Sequence, residues 1–229
     1  MVAVASKLNI LALDTSTEAC SVAVWADGAL KERFKLERHS EHILPMVHDV
    51  LAEAELSLTQ LDAIAFGRGP GSFTGLRIAA GVVQGLAFGA NLPVVPVSSL
   101  AVLAQGVGVP RVLAAVDARM HQVYWGAYAR NAEGLMELVG AEIVIAPQMV
   151  PLVEGEGWVG AGSGWDQYSP ILLARLGNRV TEWRKQCYPH AGDVARLGVA
   201  GFARGEAVSP EKALPVYIRD EVAVKQRKP

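Results

Sequence analysis

Two apolar runs, each closing on an aspartate, set the plan of this chain. Asn9-Ile10-Leu11-Ala12-Leu13-Asp14 and Arg111-Val112-Leu113-Ala114-Ala115-Val116-Asp117 have the same form, and their aspartates stand 103 residues apart, at 14 and 117. An unbroken apolar run of this length suits a strand buried on both faces. The segments downstream of the two runs are alike as well. After the first come a polar turn over Thr15 to Ala19, a strand over Cys20 to Trp25, an Asp27-Gly28 hairpin and a third strand over Leu30 to Leu36. After the second come a short turn, a strand over Gln122 to Tyr128 and a third within Leu135 to Ile145. A repeated order restricts the fold more than any local motif, because each copy must bury its own sheet. The sequence predicts an α/β protein of two lobes on one βββα-type plan, divided near Pro93 to Ser99 into 1–97 and 98–229.

Helices complete each lobe. Ser40 is a candidate N-cap, and Ile43, Leu44, Val47, Val50, Leu51 and Ala54 recur at helical spacing behind it. Pro45 falls late for a first turn, which predicts a kink or a frayed start. Leu61 to Phe66 reads as a strand and 74–90 as a helix. In the second lobe Trp158 to Gly162 and Val180 to Trp183 read as strands, and Trp165 to Leu176 and Asp193 to Ala203 as helices.

Between the Leu61–Phe66 strand and the 74–90 helix lies Gly67-Arg68-Gly69-Pro70-Gly71-Ser72-Phe73-Thr74-Gly75. Glycines before a helix N-terminus are how a chain builds an anion cradle from backbone N–H groups. The Lys-Ser/Thr that completes a phosphate loop is missing, since Leu76 and Arg77 stand in its place. Ser72 is well placed to cap the helix. In a two-lobed fold the strand-end turns flank a cleft, with Asp14 and Asp117 facing each other across it. Asp14, Ser16 and Asp117 are thus the candidates for a nucleotide or magnesium site. The other reading is that each aspartate caps the N–H groups of its own turn. Both readings stay open.

Composition narrows the classes. Hydrophobic residues make up 51% and charged residues 19% of 229, fewer charges than the usual quarter or so. Either the chain is unusually buried or it keeps an apolar face for a partner. The net charge of −2 gives no basic field for nucleic acid, and the local run Lys225-Gln226-Arg227-Lys228 reads as a solvated end. Cys20 and Cys187 imply no disulfide framework, and the N-terminus with Lys7 does not read as a signal peptide. The apolar run Ile78 to Leu92, broken by Gln84 and Asn91, falls short of the roughly 20 residues of a membrane span. A soluble intracellular protein is the expectation. His39, His42 and His48 match no HExxH, His121 and His190 stand apart, and no GxSxG elbow occurs, so no metal site and no serine nucleophile are expected.

Gly81, Gly85 and Gly89 recur every fourth residue and form one smooth row on the 74–90 helix, flanked by Ile78, Val82, Val83 and Leu86. Each interior glycine costs about 1 kcal/mol relative to alanine, so the row calls for close approach of another helix. That helix belongs either to the same lobe, over 43–56, or to another chain.

Taken together, these segments resemble the TsaB (YeaZ) family. The resemblance rests on Leu11 to Thr17 with Cys20 to Val24, on His39-Ser40-Glu41 with Leu44-Pro45, and above all on Gly67 through Arg77. Val116 to Met120 with Val123-Tyr124, and Pro215-Val216-Tyr217-Ile218-Arg219, extend it over nearly the whole chain. It implies an actin-like ATPase fold in two lobes. It also implies a part in making N6-threonylcarbamoyladenosine at position 37 of tRNAs that read codons starting with A. There TsaD is the catalytic subunit, with a metal-binding histidine pair that this chain lacks. Active members of the fold also keep a glycine after the first aspartate, where this chain has Thr15. By resemblance the chain is a non-catalytic subunit without cofactor or metal that binds TsaD, with TsaE joining, pairs with itself when alone, and meets tRNA only through the complex. The pairing surface would comprise the helices over 41–56 and 74–90, with Ile43, Leu44, Val47, Val50, Leu51, Ile78, Gly81, Val82, Gly85 and Gly89. The alternative is an actin-like ATPase or kinase using Asp14 and Asp117.

Overall fold

A computed structural model describes residues 8–36 and 39–218; Lys7, Arg219 and the run Lys225 to Lys228 lie outside them. Both lobes are five-stranded sheets of one order. β1 (Ile10–Asp14), β2 (Cys20–Ala26), β3 (Ala29–Lys35), β4 (Ala63–Gly69) and β5 (Val94–Ser98) stand as β3-β2-β1-β4-β5. β6 (Arg111–Asp117), β7 (Val123–Arg130), β8 (Met136–Ile145), β9 (Trp158–Ala161) and β10 (Val180–Arg184) stand as β8-β7-β6-β9-β10. In each sheet the first three strands are antiparallel and the fourth and fifth run parallel to the first. The predicted duplication is therefore complete to the strand.

Local chemistry explains the pieces. All five residues of β1 are buried, because the strand is central and covered on both faces. Asp27 and Gly28 both take positive φ (48° and 80°), the conformation a two-residue hairpin of matching twist requires. β3 is an edge strand and carries Lys31, Glu32, Arg33 and Lys35, charges that discourage edge-to-edge pairing. α1 (His39–Glu53) contains Pro45 and still runs as one helix. α2 (Phe73–Ala90) starts at Ser72, whose Oγ accepts the Gly75 N–H at 3.3 Å, and stops at Asn91 in the left-handed region (φ 54°).

The helices α3 (Ser99–Val107), α4 (Ser163–Leu176) and α5 (Ala191–Ala203) complete a layered body. Alternation along β1 sends Leu11 and Leu13 to one side, against Ile43, Met46, Val47, Val50 and Leu51 of α1 and Ala79, Val83 and Ala87 of α2. Ile10 and Ala12 face the other side, with Val194, Ala195 and Val199 of α5. The second sheet packs Val112, Ala114 and Val116 on Leu100, Leu103 and Ala104 of α3, and Leu113 and Ala115 on Trp165, Leu172 and Leu176 of α4. Each lobe's last helix thus crosses over to the other lobe's sheet.

That crossing revises the division at 97/98. β5, which the sequence did not show, ends at Ser98, and α5 and the segment after it return to the first lobe. Val208 pairs with Val94, Ala213 is buried in the first lobe's core, and Val216 N–H donates to Arg68 O at 2.8 Å. Residues 191–218 therefore belong structurally with the first sheet.

Candidate functional site

Asp14 ends β1 and is 1% exposed. Its Oδ1 accepts the N–H (2.8 Å) and hydroxyl (2.7 Å) of Ser16, and its Oδ2 accepts the Ser99 hydroxyl at 3.2 Å. Burial pushes its carboxyl up to about 6, against the pull of those hydrogen bonds. The glycine segment closes over it. A Cβ at Gly67 would fall on the Asp14 carboxylate, one at Gly71 on the Ser16 carbonyl, and one at Gly75 on the Thr15 carbonyl. Thr15 Oγ1 donates to Gly75 O at 2.7 Å, Ser72 N–H to Ser16 O at 2.7 Å, and Gly69 N–H to Ser99 Oγ at 3.2 Å. These glycines let two backbones touch. The N–H groups of Gly69, Ser72 and Gly75 are committed inside the chain, so this part of the segment is a joint rather than an open anion cradle.

Asp117, at the equivalent end of β6, has a different setting. Its Oδ1 accepts the Arg119 N–H at 3.0 Å, its Oδ2 lies 3.2 Å from the Arg119 guanidinium, and its own N–H donates to Ser163 Oγ at 3.0 Å. Arg119, Met120 and His121 all take positive φ, which turns this loop outward. Asp117 lines a cleft of ≈ 960 Å³ with Ser16, Glu18, Phe73, Ser163 and Tyr217. Asp14 is not on that wall. The expected confrontation of Asp14 with Asp117 is thus corrected: Asp14 is sealed behind Ser16 and Gly67, which leaves it unable to reach a metal or phosphate in the cleft. The donor set does not fit a magnesium nucleotide, since one carboxylate is enclosed and the other is paired to an arginine. Both aspartates do cap their own turns, at Ser16 and Arg119.

The candidate pairing residues divide by burial. Ile43, Val47, Val50 and Leu51 form the core face of α1. An amphipathic helix turns its apolar stripe to its own sheet, so those four side chains are not available to a partner. Leu44 is 53% exposed, Ile78 and Val82 are half-buried, and Gly81, Gly85 and Gly89 are exposed with nothing within 4 Å of a Cβ built on them. No helix of this chain covers the glycine row among the described residues. Phe88, beside it, is 81% exposed. α2 has the length and apolar composition of a membrane span, but its buried side is lobe core.

A second hollow of ≈ 400 Å³ lies where α5 meets β3. Glu32 there accepts from Ser21 Oγ (2.8 Å) and Gly192 N–H (3.0 Å), and His190 Nδ1 lies 3.3 Å away. Burial pushes the Glu32 carboxyl up, but hydrogen bonds led by His190 outweigh it and hold it below the usual range. The same bond raises His190.

The family model described as TsaD: tRNA N6-adenosine threonylcarbamoyltransferase matches residues 34–157. The tRNA threonylcarbamoyladenosine biosynthesis protein TsaB of Escherichia coli is 44% identical, covering 96% of this chain and 98% of its own. That of Haemophilus influenzae is 37% identical over 96% and 97%. The solved YeaZ of Pseudomonas aeruginosa superposes with a TM-score of 0.85 at 48% identity, covering 92% of this chain and 99% of that one. The chain belongs to the TsaB family. Another solved Pseudomonas aeruginosa protein, described as similar to peptidase YEAZ, gives a TM-score of 0.86 at 48% identity over 93% of this chain.

Within this TsaB-family chain, sequence reasoning passed over Ser99 and Tyr217. Ser99 ties Asp14 to Gly69, and its signal was a Ser-Ser pair ahead of an apolar run. Tyr217 lines the cleft and meets Arg77; its motif, Pro215 to Arg219, was legible only as a resemblance.

Proposed function

We propose that this chain is a non-catalytic subunit of the assembly that forms N6-threonylcarbamoyladenosine at position 37 of tRNAs reading ANN codons. It acts by docking the exposed face of α2, with Leu44 of α1, on a threonylcarbamoyltransferase of the TsaD type. The carrying observation is the row Gly81, Gly85, Gly89, kept open on the surface of a helix at a cost in helix propensity and used by no described element of its own chain. In this reading TsaE joins the assembly, a second copy covers the face when the transferase is absent, tRNA is met through the complex, and the protein works in the cytoplasm without cofactor. Support for the lack of catalysis comes from the enclosed Asp14 and the committed N–H groups of the glycine segment.

Replacing Gly85 with leucine fills the row without touching the core. Co-purification with the transferase should be lost while circular dichroism of the variant stays native; undiminished binding would overturn the docking reading. Loss of the modified nucleoside from tRNA in cells carrying only this variant would extend the result to function.

The alternative, an ATPase or kinase, would have to work from Asp117 on the cleft wall, because Asp14 is enclosed. Calorimetry with Mg-ATP separates the two: micromolar binding lost on Asp117→Ala favours the enzyme.

A further inference from the structure

Arg77 is the one charged residue in the 18 residues of α2. It stands four residues before Gly81, so Phe73, Arg77, Gly81, Gly85 and Gly89 form one continuous i, i+4 row. Its guanidinium is held in place. It lies 3.6 Å from the centroid of the Phe73 ring, and Nε donates to the Tyr217 hydroxyl at 3.2 Å. Tyr217 is fixed in turn by the segment that carries it, where Val216 N–H donates to Arg68 O (2.8 Å) and Ala213 O accepts from Gln84 of α2 (3.1 Å). Among the described residues no carboxylate pairs with Arg77. An exposed, preoriented cation therefore stands at the head of an apolar row.

We infer that Arg77 is the pairing site for a carboxylate of the partner protein, carried near the end of the helix that lies along the glycine row. This rests on the docking reading above. A helix close enough to use Gly81 and Gly85 removes water from Arg77, and a buried guanidinium without an acceptor is costly. A carboxylate matches its planar fork and accepts two bonds, while the stack on Phe73 lowers the ordering cost. A polyanion such as RNA is the weaker candidate, because α2 offers it one cation and the chain as a whole is negative.

Calorimetry of the full chain against the purified transferase tests this. Arg77→Ala should weaken binding about thirtyfold or more, with a flatter salt dependence. Arg77→Lys should fall between, since charge remains and the fork is lost. Arg77→Glu should be rescued by reversing one carboxylate on the partner. Wild-type affinity for Arg77→Ala, in a series where Gly85→Leu does abolish binding, would overturn the inference and leave docking intact. Loss of tRNA binding by the assembled complex at unchanged transferase affinity would overturn it in favour of a phosphate contact. If Gly85→Leu itself binds normally, the docking reading is what fails.

Discussion

The two lobes carry the same strand–turn–helix unit and have put it to different use. In the first, β4 enters α2 through Gly67, Gly71 and Gly75, which bring the turn into backbone contact with Thr15 and Ser16 and shut Asp14 away. α2 then runs 18 residues with a single charge and turns glycine outward. In the second, β9 enters α4 through Gly162 and Gly164, Asp117 stays at the rim, and α4 spans only 14 residues with non-helical dihedrals at Tyr168, just before Pro170. Its outward face mixes Asp166, Gln167 and Arg175 with Ile171 and Leu173. Topology decides where the helix lies in both lobes. The side chains it turns outward differ between the lobes: α2 shows a glycine row with Phe88, whereas α4 mixes exposed apolar and polar groups.

The comparison breaks most readily at the glycines. Gly75→Ala drives a Cβ into the Thr15 backbone, which cannot yield because Thr15 is itself bonded to Gly75. We expect a loss of about 3 kcal/mol or more, read by urea unfolding. Gly164→Ala in the second lobe places its Cβ 3.0 Å from Ala115 and should cost about 1 kcal/mol. Equal losses would remove the asymmetry between the two joints.

Asp14 supplies the next test. Its folded carboxyl titrates near 6 against an ordinary 3.8, so the folded chain holds a proton that the unfolded chain gives up. The contribution of Asp14 to stability is therefore full below about pH 4, falls as pH rises to about 6, and is level above, with a total loss of ~3 kcal/mol. Asp14→Asn keeps an acceptor for Ser16 and removes this window. The difference between the variant and wild-type unfolding curves should rise by that amount between pH 4 and 6. A flat difference would mean that Asp14 is already ionised in the folded chain.

Sequence carried the strands well because periodicity and hairpin chemistry are local. β1, β2 and β6 were legible as apolar runs, and Asp27-Gly28 as a turn. β5 and α3 were not. Val94–Ser98 is short, contains Pro96, and runs straight into Ser99, so the stretch looks like a boundary rather than an edge strand and a helix. The return of 191–218 to the first lobe has no local signature, since it depends on Ser21 and Glu32 receiving the start of α5. At the site, the glycine row is visible in the sequence but its exposure is not. Ile43, Val47, Val50 and Leu51 read as a partner face because apolarity marks a buried face without saying what buries it. The enclosure of Asp14 comes from what Gly67 lacks, and a missing Cβ matters only once the fold brings β4 beside β1.

Asp117→Ala probes the rim turn of the second lobe. It removes one backbone hydrogen bond and an ion pair to an exposed arginine, for which about 1 kcal/mol is expected in thermal unfolding. A loss as large as that of Gly75→Ala would show that the rim turn is as tightly built as its counterpart.

The smallest effect, and the sharpest in sign, belongs to Gly85→Ala. A Cβ there meets nothing within 4 Å, and alanine is the better helix former, so the isolated chain should gain about 0.5 to 1 kcal/mol in urea unfolding. The same methyl group stands on the row where a partner helix is to pack, and affinity for the transferase should fall. Stability and docking then move in opposite directions from one carbon atom. A glycine kept for close approach predicts that opposition; a glycine kept for the fold of its own chain predicts that both decline together.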